Sequence, residues 1–290
     1  MRKVRIMKKI SLIAMTIISI MLLAKDSFAY GLLTHIELAA QTIRILGSEA
    51  KSLLDIYWTY LALGAIGPDL FNKTPFSRIL HHSLLTKFAT RMLDYIKMVK
   101  DGEKKDKLRA YAYGYLTHIA GDIHGHPLAH RLSNQKEHNM QLLKVYAHQD
   151  LHIAMKYHLK PNSYNAQMQI PLYALDGDIA QMLFEVYNRI NTEGKDLDWN
   201  TLMSCFDRTK LSVWLLTLQA NNSFLRQVFM PFSPDSKYTM EFDHNFSTAK
   251  KTAEQFISSG HSYLYQLPWE KDFGDVFHEG LEIDCPLCMK

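Results

Sequence analysis

Apolar residues recur three and four positions apart along most of this chain, and runs that alternate strictly between apolar and polar are scarce. The spacing predicts helices over 35–46, 50–66 and 84–100, a central helix beginning near Leu108, and further helices over 138–158, 171–190, 198–230 and 247–267. Thr34 stands as the N-cap of the first helix, with Glu37 three residues on as its capping box and Gly47 as its stop. The run Gly64-Ala65-Ile66-Gly67-Pro68-Asp69 predicts a turn that presents Asp69. Residues 101–106 and 231–237 read as polar loops. The expected fold class is all-α: a single multi-helix domain over 30–267 and an irregular tail over 268–290. Such a domain can project side chains from facing helices into a common cleft.

The central helix carries the most informative spacing. His118, Asp122 and His126 stand four residues apart, followed directly by Pro127. Residues four apart share a helix face, so two imidazoles and a carboxylate form one stripe about two turns long. That donor set suits a divalent metal, zinc above all. Pro127 is expected to end or kink the helix. The competing reading is an amphipathic helix with surface histidines. Composition weighs against it, because eleven of the fourteen histidines fall between positions 35 and 158. Among them His148 and His152 form a second pair four residues apart.

Residues 1–29 read as a secretory signal peptide. A basic start (Arg2, Lys3, Arg5, Lys8, Lys9) precedes an apolar run over 10–24, and Ser27-Phe28-Ala29 supplies small residues at −3 and −1 of a cleavage site. The apolar run is short for a membrane span, which takes about 20 residues. Cleavage after Ala29 would send the protein out of the cell or into a periplasm. It also changes the charge argument. The whole chain carries +4; the leader holds six cations against Asp26, so the mature chain is close to neutral. The basic sequence pI therefore gives no argument for nucleic acid or anionic lipid. Export permits a disulfide within Cys285-Pro286-Leu287-Cys288, read as a local clip or an inert tail, whereas Cys205 reads as a buried small apolar residue.

The candidate ligands are the amino terminus of Tyr30, then His35, Asp69, His81, His118, Asp122, His126, His148 and His152. One zinc takes about four ligands, so nine suit two or three metals that share a carboxylate. Asp122, at the centre of the stripe, is the natural bridge. His124, His130 and His138 lie off the stripe and read as outer or surface residues.

This ordered set resembles the zinc-dependent phospholipase C family and, more distantly, the fungal single-strand-specific zinc nucleases of the same fold. The resemblance covers roughly 30–158. It implies an all-helical secreted phosphoesterase with a cleft for two or three Zn2+ ions. In that pattern an aromatic residue with a free amine begins the mature chain, here Tyr30. Its loop aspartate corresponds to Asp69, and the following histidine to His81, with His82 as the competing choice. Asp122 would bridge one metal held with Asp69, His81 and His118 and another held with Tyr30 and His35. A third metal would use His126, His148 and His152. Here the sequence departs from the pattern: histidine stands at 152 where the family has a carboxylate, and Asp150 is two residues off that stripe.

Zinc lowers the pKa of bound water to about 7 and stabilises charge on a phosphoryl oxygen. The resemblance thus implies hydrolysis of a phosphodiester, with Asp69 as both ligand and catalytic acceptor of the water proton. The expected substrate is a phospholipid, approached by peripheral contact with a membrane surface, by a monomer. A nuclease would be expected to offer basic residues and stacking aromatics around its cleft, and no dense Lys/Arg stretch flanks the ligands. No stable nucleic-acid partner is therefore expected. Tyr57, Trp58, Phe71 and Phe76 are candidates to line a headgroup pocket. The alternatives are a single-strand zinc nuclease and a secreted metal-binding protein without catalysis.

Overall fold

A computed structural model describes residues 31–71, 85–134, 142–157, 175–190, 197–221 and 236–265. They form α1 (Leu32–Ile43), α2 (Ser48–Ile56), α3 (Trp58–Ala65), a 3-10 turn (Pro68–Phe71), α4 (Leu85–Met98), α5 (Glu103–Asn134), α6 (Leu142–Lys156), α7 (Gly177–Ile190), α8 (Trp199–Asn221) and α9 (Ser236–Tyr265). No strand occurs among the described residues. The all-α expectation holds.

Helix α5 is the axis of the fold. From Ala110 to Asp122 every residue is buried, so no face of this stretch reaches water. Its packing explains why: α3 and α9 make the most extensive contacts with it, and α1, α4, α6 and α7 close the remaining sides. A helix enclosed all round needs apolar or small residues all round, and Ala110-Tyr111-Ala112-Tyr113-Gly114-Tyr115-Leu116 supplies them. The outer helices show one-sided patterns instead. In α4 the inward stripe is Leu85, Phe88, Ala89, Met92, Leu93 and Ile96. In α7 it includes Ile179, Leu183, Val186 and Ile190.

Several expected boundaries move. Pro127 does not end α5, which continues to Asn134. A proline inside a helix removes one backbone bond and loosens the carbonyls of the preceding turn. Here Asn245 of α9 donates its side-chain N–H to the His124 carbonyl at 2.9 Å. The neighbouring helix thus satisfies backbone in that turn.

Helix α9 starts at Ser236, eleven residues before the expected position 247. Its extra turns are anchored by Tyr238, Phe242 and Phe246, a buried stripe at intervals of four hidden among polar residues. Helix α1 begins at Leu32 with Gly31 as its cap, so Thr34 is not the N-cap and the expected capping box does not form. Glu37 is instead buried and accepts a hydrogen bond from Gln41. Gly47 caps the start of α2, and α1 has already ended at Ile43.

Candidate metal centre

The stripe on α5 is the base of the site. One carboxylate oxygen of Asp122 lies 3.0 Å from His118 Nε2 and 3.8 Å from His126 Nε2. The other lies 3.4 Å from His35 Nε2, which comes from α1. A single carboxylate thus faces three imidazoles from two helices. The rings of His35 and His118 stack with centroids 3.9 Å apart and planes 13° from parallel.

The close approach of backbones sets these orientations. Helices α3 and α5 cross at two glycines. A Cβ on Gly64 would collide with the Tyr111 carbonyl, and one on Gly114 with the Leu61 carbonyl. The crossing brings the Ala65 carbonyl within 2.9 Å of His118 Nδ1. A carbonyl can only accept, so Nδ1 carries the hydrogen and Nε2 is turned toward Asp122. On the other side of α5, Gly121 makes room for His35, whose ring a Cβ at 121 would meet at 2.9 Å.

Asp69 arrives on the 3-10 turn that follows α3, as the Gly-Pro-Asp run predicts. It is buried, and donor atoms of His35, Asp69 and His118 all lie within 4.8 Å of one another. Among the described residues this is the group of side chains compact enough to hold a metal ion.

The electrostatics follow from that enclosure. Burial alone would lower His118, but the Asp122 and Asp69 carboxylates outweigh it and raise it to about 9. Burial and the adjacent His118 depress His35, against the pull of Asp122. Burial works to raise Asp122, but His118, His35 and His126 hold it well below the usual carboxylate range. The charges that act most on these groups are thus their own. The donor set fits zinc: imidazole nitrogens and carboxylate oxygens converge with water excluded. Burying ionised groups costs several kcal/mol per ion unless opposite charge compensates it, and a divalent cation supplies that charge. The residues that would hold it are His35, Asp69, His118 and Asp122.

The α6 candidates divide. His148 is buried. His152 is half-buried and bonds Asp243 of α9 at 2.8 Å, beside Lys156, which reaches the same oxygen at 2.7 Å. His126, besides facing Asp122, stacks with His130 at 6.1 Å. His124 bonds Thr252 at 2.9 Å, in keeping with an outer role. Tyr30, His81, His82, His138, Phe76, Cys285 and Cys288 lie outside the described residues. Two of the proposed pocket aromatics are core residues: Trp58 is buried, and Phe71 is fully buried against Tyr187. Cys205 is a buried free thiol, as expected.

Asp150, two residues off the α6 stripe in sequence, has a role that the spacing does not show. Its carboxylate is buried and accepts hydrogen bonds from both the backbone N–H and the hydroxyl of Thr34, each at 2.8 Å. Burial raises its pKa to about 7, with Asp69 adding to the effect and the Thr34 donors opposing it. No local pattern reveals this contact, because its partners lie 116 residues apart.

The family described as zinc dependent phospholipase C matches residues 34–212, which include His35, Asp69, the α5 stripe and both α6 histidines. No curated protein and no solved structure matches the chain. The match spans well over half of the chain and encloses the one compact donor group found among the described residues; the chain belongs to the zinc-dependent phospholipase C family.

Proposed function

We propose that this protein is a phospholipase C that hydrolyses the phosphodiester of a phospholipid and releases the phosphorylated headgroup. The observation that carries the reading is the convergence of His35, Asp69 and His118 around the face of α5 that bears Asp122. Zinc bound there supplies an activated water and stabilises charge on the phosphoryl oxygens.

The chain's own residues set the conditions for that chemistry. The Ala65 carbonyl holds His118 in the tautomer that offers Nε2. Asp122 faces imidazoles of both α1 and α5, which supports its role as the carboxylate that two metals would share. Asp69 sits on a short turn at the edge of the group, where it can accept the proton of the attacking water. The helices packed around α5 exclude bulk water, which strengthens each of these interactions. His81 and the amine of Tyr30 would complete the two-metal ligand set, and His126 and His148 would contribute to a third.

The near-neutral mature chain favours a phospholipid over a nucleic-acid strand, whose binding rests on counterion release by many cations. We infer action outside the cell or in a periplasm after removal of residues 1–29, as a monomer in peripheral contact with a membrane surface. Phosphatidylcholine vesicles and single-stranded DNA, each assayed with the processed protein before and after chelation, test the proposal. Headgroup release that stops on chelation and returns with zinc is expected. Cleavage of DNA alone would establish the nuclease reading, and bound zinc without turnover of either substrate would leave a metal-binding protein.

A further inference from the structure

The first turn of α1 exposes backbone N–H groups that no helical carbonyl can satisfy, and its cap, Gly31, has no side chain to do so. The partner comes from another helix. Asp150 of α6 takes the Thr34 N–H and the Thr34 hydroxyl on one oxygen, each at 2.8 Å. Its carboxylate also packs directly onto the α-carbon of Gly31, where a Cβ would overlap it. Gly31 has φ −71° and ψ 162°, extended backbone that any residue adopts. The glycine is therefore required here by the carboxylate and not by its own dihedrals.

Thr34 directly precedes His35, whose Nε2 faces Asp122 at 3.4 Å. Asp150 in turn lies between His148 and His152 on α6. We propose that Asp150 is a positioning residue that caps α1 from α6, so that His35 is held in register with Asp122 and the metal at that end of the site is bound tightly. This rests on the zinc reading above. A lost cap frays the first turn of a helix. Loss of an outer partner of a metal ligand costs about 10–100-fold in affinity. The two consequences have different readouts.

The test uses the full processed protein with Asp150→Ala, Asp150→Asn, Gly31→Ala and the double variant Gly31→Ala/Asp150→Ala. Zinc per chain, zinc affinity by chelator competition and the visible spectrum of the cobalt-substituted protein report the metal. Amide hydrogen exchange of the apoprotein over 31–36 reports the cap. Asparagine keeps a side-chain carbonyl for the Thr34 donors but loses one of the two acceptor oxygens, and the Leu33 N–H also reaches this carboxylate. D150N is expected to lie between wild type and D150A, whereas D150A loses protection over 31–36 and about 10–100-fold in zinc affinity, with an altered cobalt spectrum. Gly31→Ala is expected to weaken binding in the wild-type background and to cost little more once Asp150 is gone, because the space is then open.

Overturning results are wild-type cobalt spectra and zinc affinity in D150A, or additive losses in the double variant. A D150A that only melts earlier, with metal binding intact, also overturns the proposal and makes Asp150 structural. Should wild type itself bind no zinc, the metal reading fails and the positioning role with it. Exchange over 31–36 then still shows whether the cap exists, so the two failures are told apart.

Discussion

The carbonyl of Ala65, the last residue of α3, accepts a hydrogen bond from His118 Nδ1 at 2.9 Å across 53 residues of sequence. That contact exists because Gly64 and Gly114 let the two backbones touch. Gly114→Ala drives a methyl group into the Leu61 carbonyl, which is backbone and cannot rotate aside. Overpacking of this kind typically costs about 1–3 kcal/mol, and the cost here is expected at the upper end of that range. The displaced Ala65 carbonyl is also expected to weaken zinc binding by about 10–100-fold. Urea unfolding and chelator competition measure the two effects. A variant that loses stability but keeps wild-type zinc affinity would show that His118 does not depend on Ala65.

Asp122 faces His35, His118 and His126 at once. Asp122→Ala is expected to lower zinc per chain and to reduce headgroup release by more than the roughly 100-fold that an outer partner accounts for. Metal analysis beside a phosphatidylcholine assay checks this. Full metal content with full activity would remove Asp122 from the centre.

Glu37 is buried, with Gln41 bonded to one of its oxygens. Burial raises its carboxyl from 4.5 to about 7, against the Gln41 bond and Arg44. Between those values the folded chain keeps a proton that the unfolded chain has released, so stability falls as pH rises through the window. A shift of that size is worth about 3 kcal/mol. Glu37→Gln is expected to gain about 1–3 kcal/mol over wild type at pH 8 and much less at pH 5. Denaturant titrations at the two pH values test it, and an equal gain at both would rule out titration of Glu37 as the cause.

His152 bonds Asp243, which also pairs with Lys156. Part-exposed pairs of this kind are worth roughly 0–1 kcal/mol. His152→Ala is expected to change stability by no more than that and to leave the zinc at His35, Asp69, His118 and Asp122 in place. Metal stoichiometry decides the matter. A loss of one zinc per chain would put His152 among the ligands, as the family pattern suggests from its spacing.

Local patterns made much of this protein legible. The three- and four-residue apolar rhythm gives an all-helical fold, because each outer helix must turn one stripe inward. The spacing of His118, Asp122 and His126 gives a common face, because the α-helical turn relates positions four apart. The Gly67-Pro68-Asp69 run gives a turn that presents the acid. Helix boundaries depart from the local pattern where a distant partner decides them. Asn245 supports α5 beside Pro127, and the cap of α1 comes from Asp150. Which groups from different helices meet is settled across the core and not along any one helix. His35 reaches Asp122, Ala65 orients His118, and Asp150 of α6, not the Thr34 side chain, accepts from the first turn of α1. Periodicity along one helix tells which face is buried, but the contact across to another depends on how closely the backbones pack, and here single glycines set that distance.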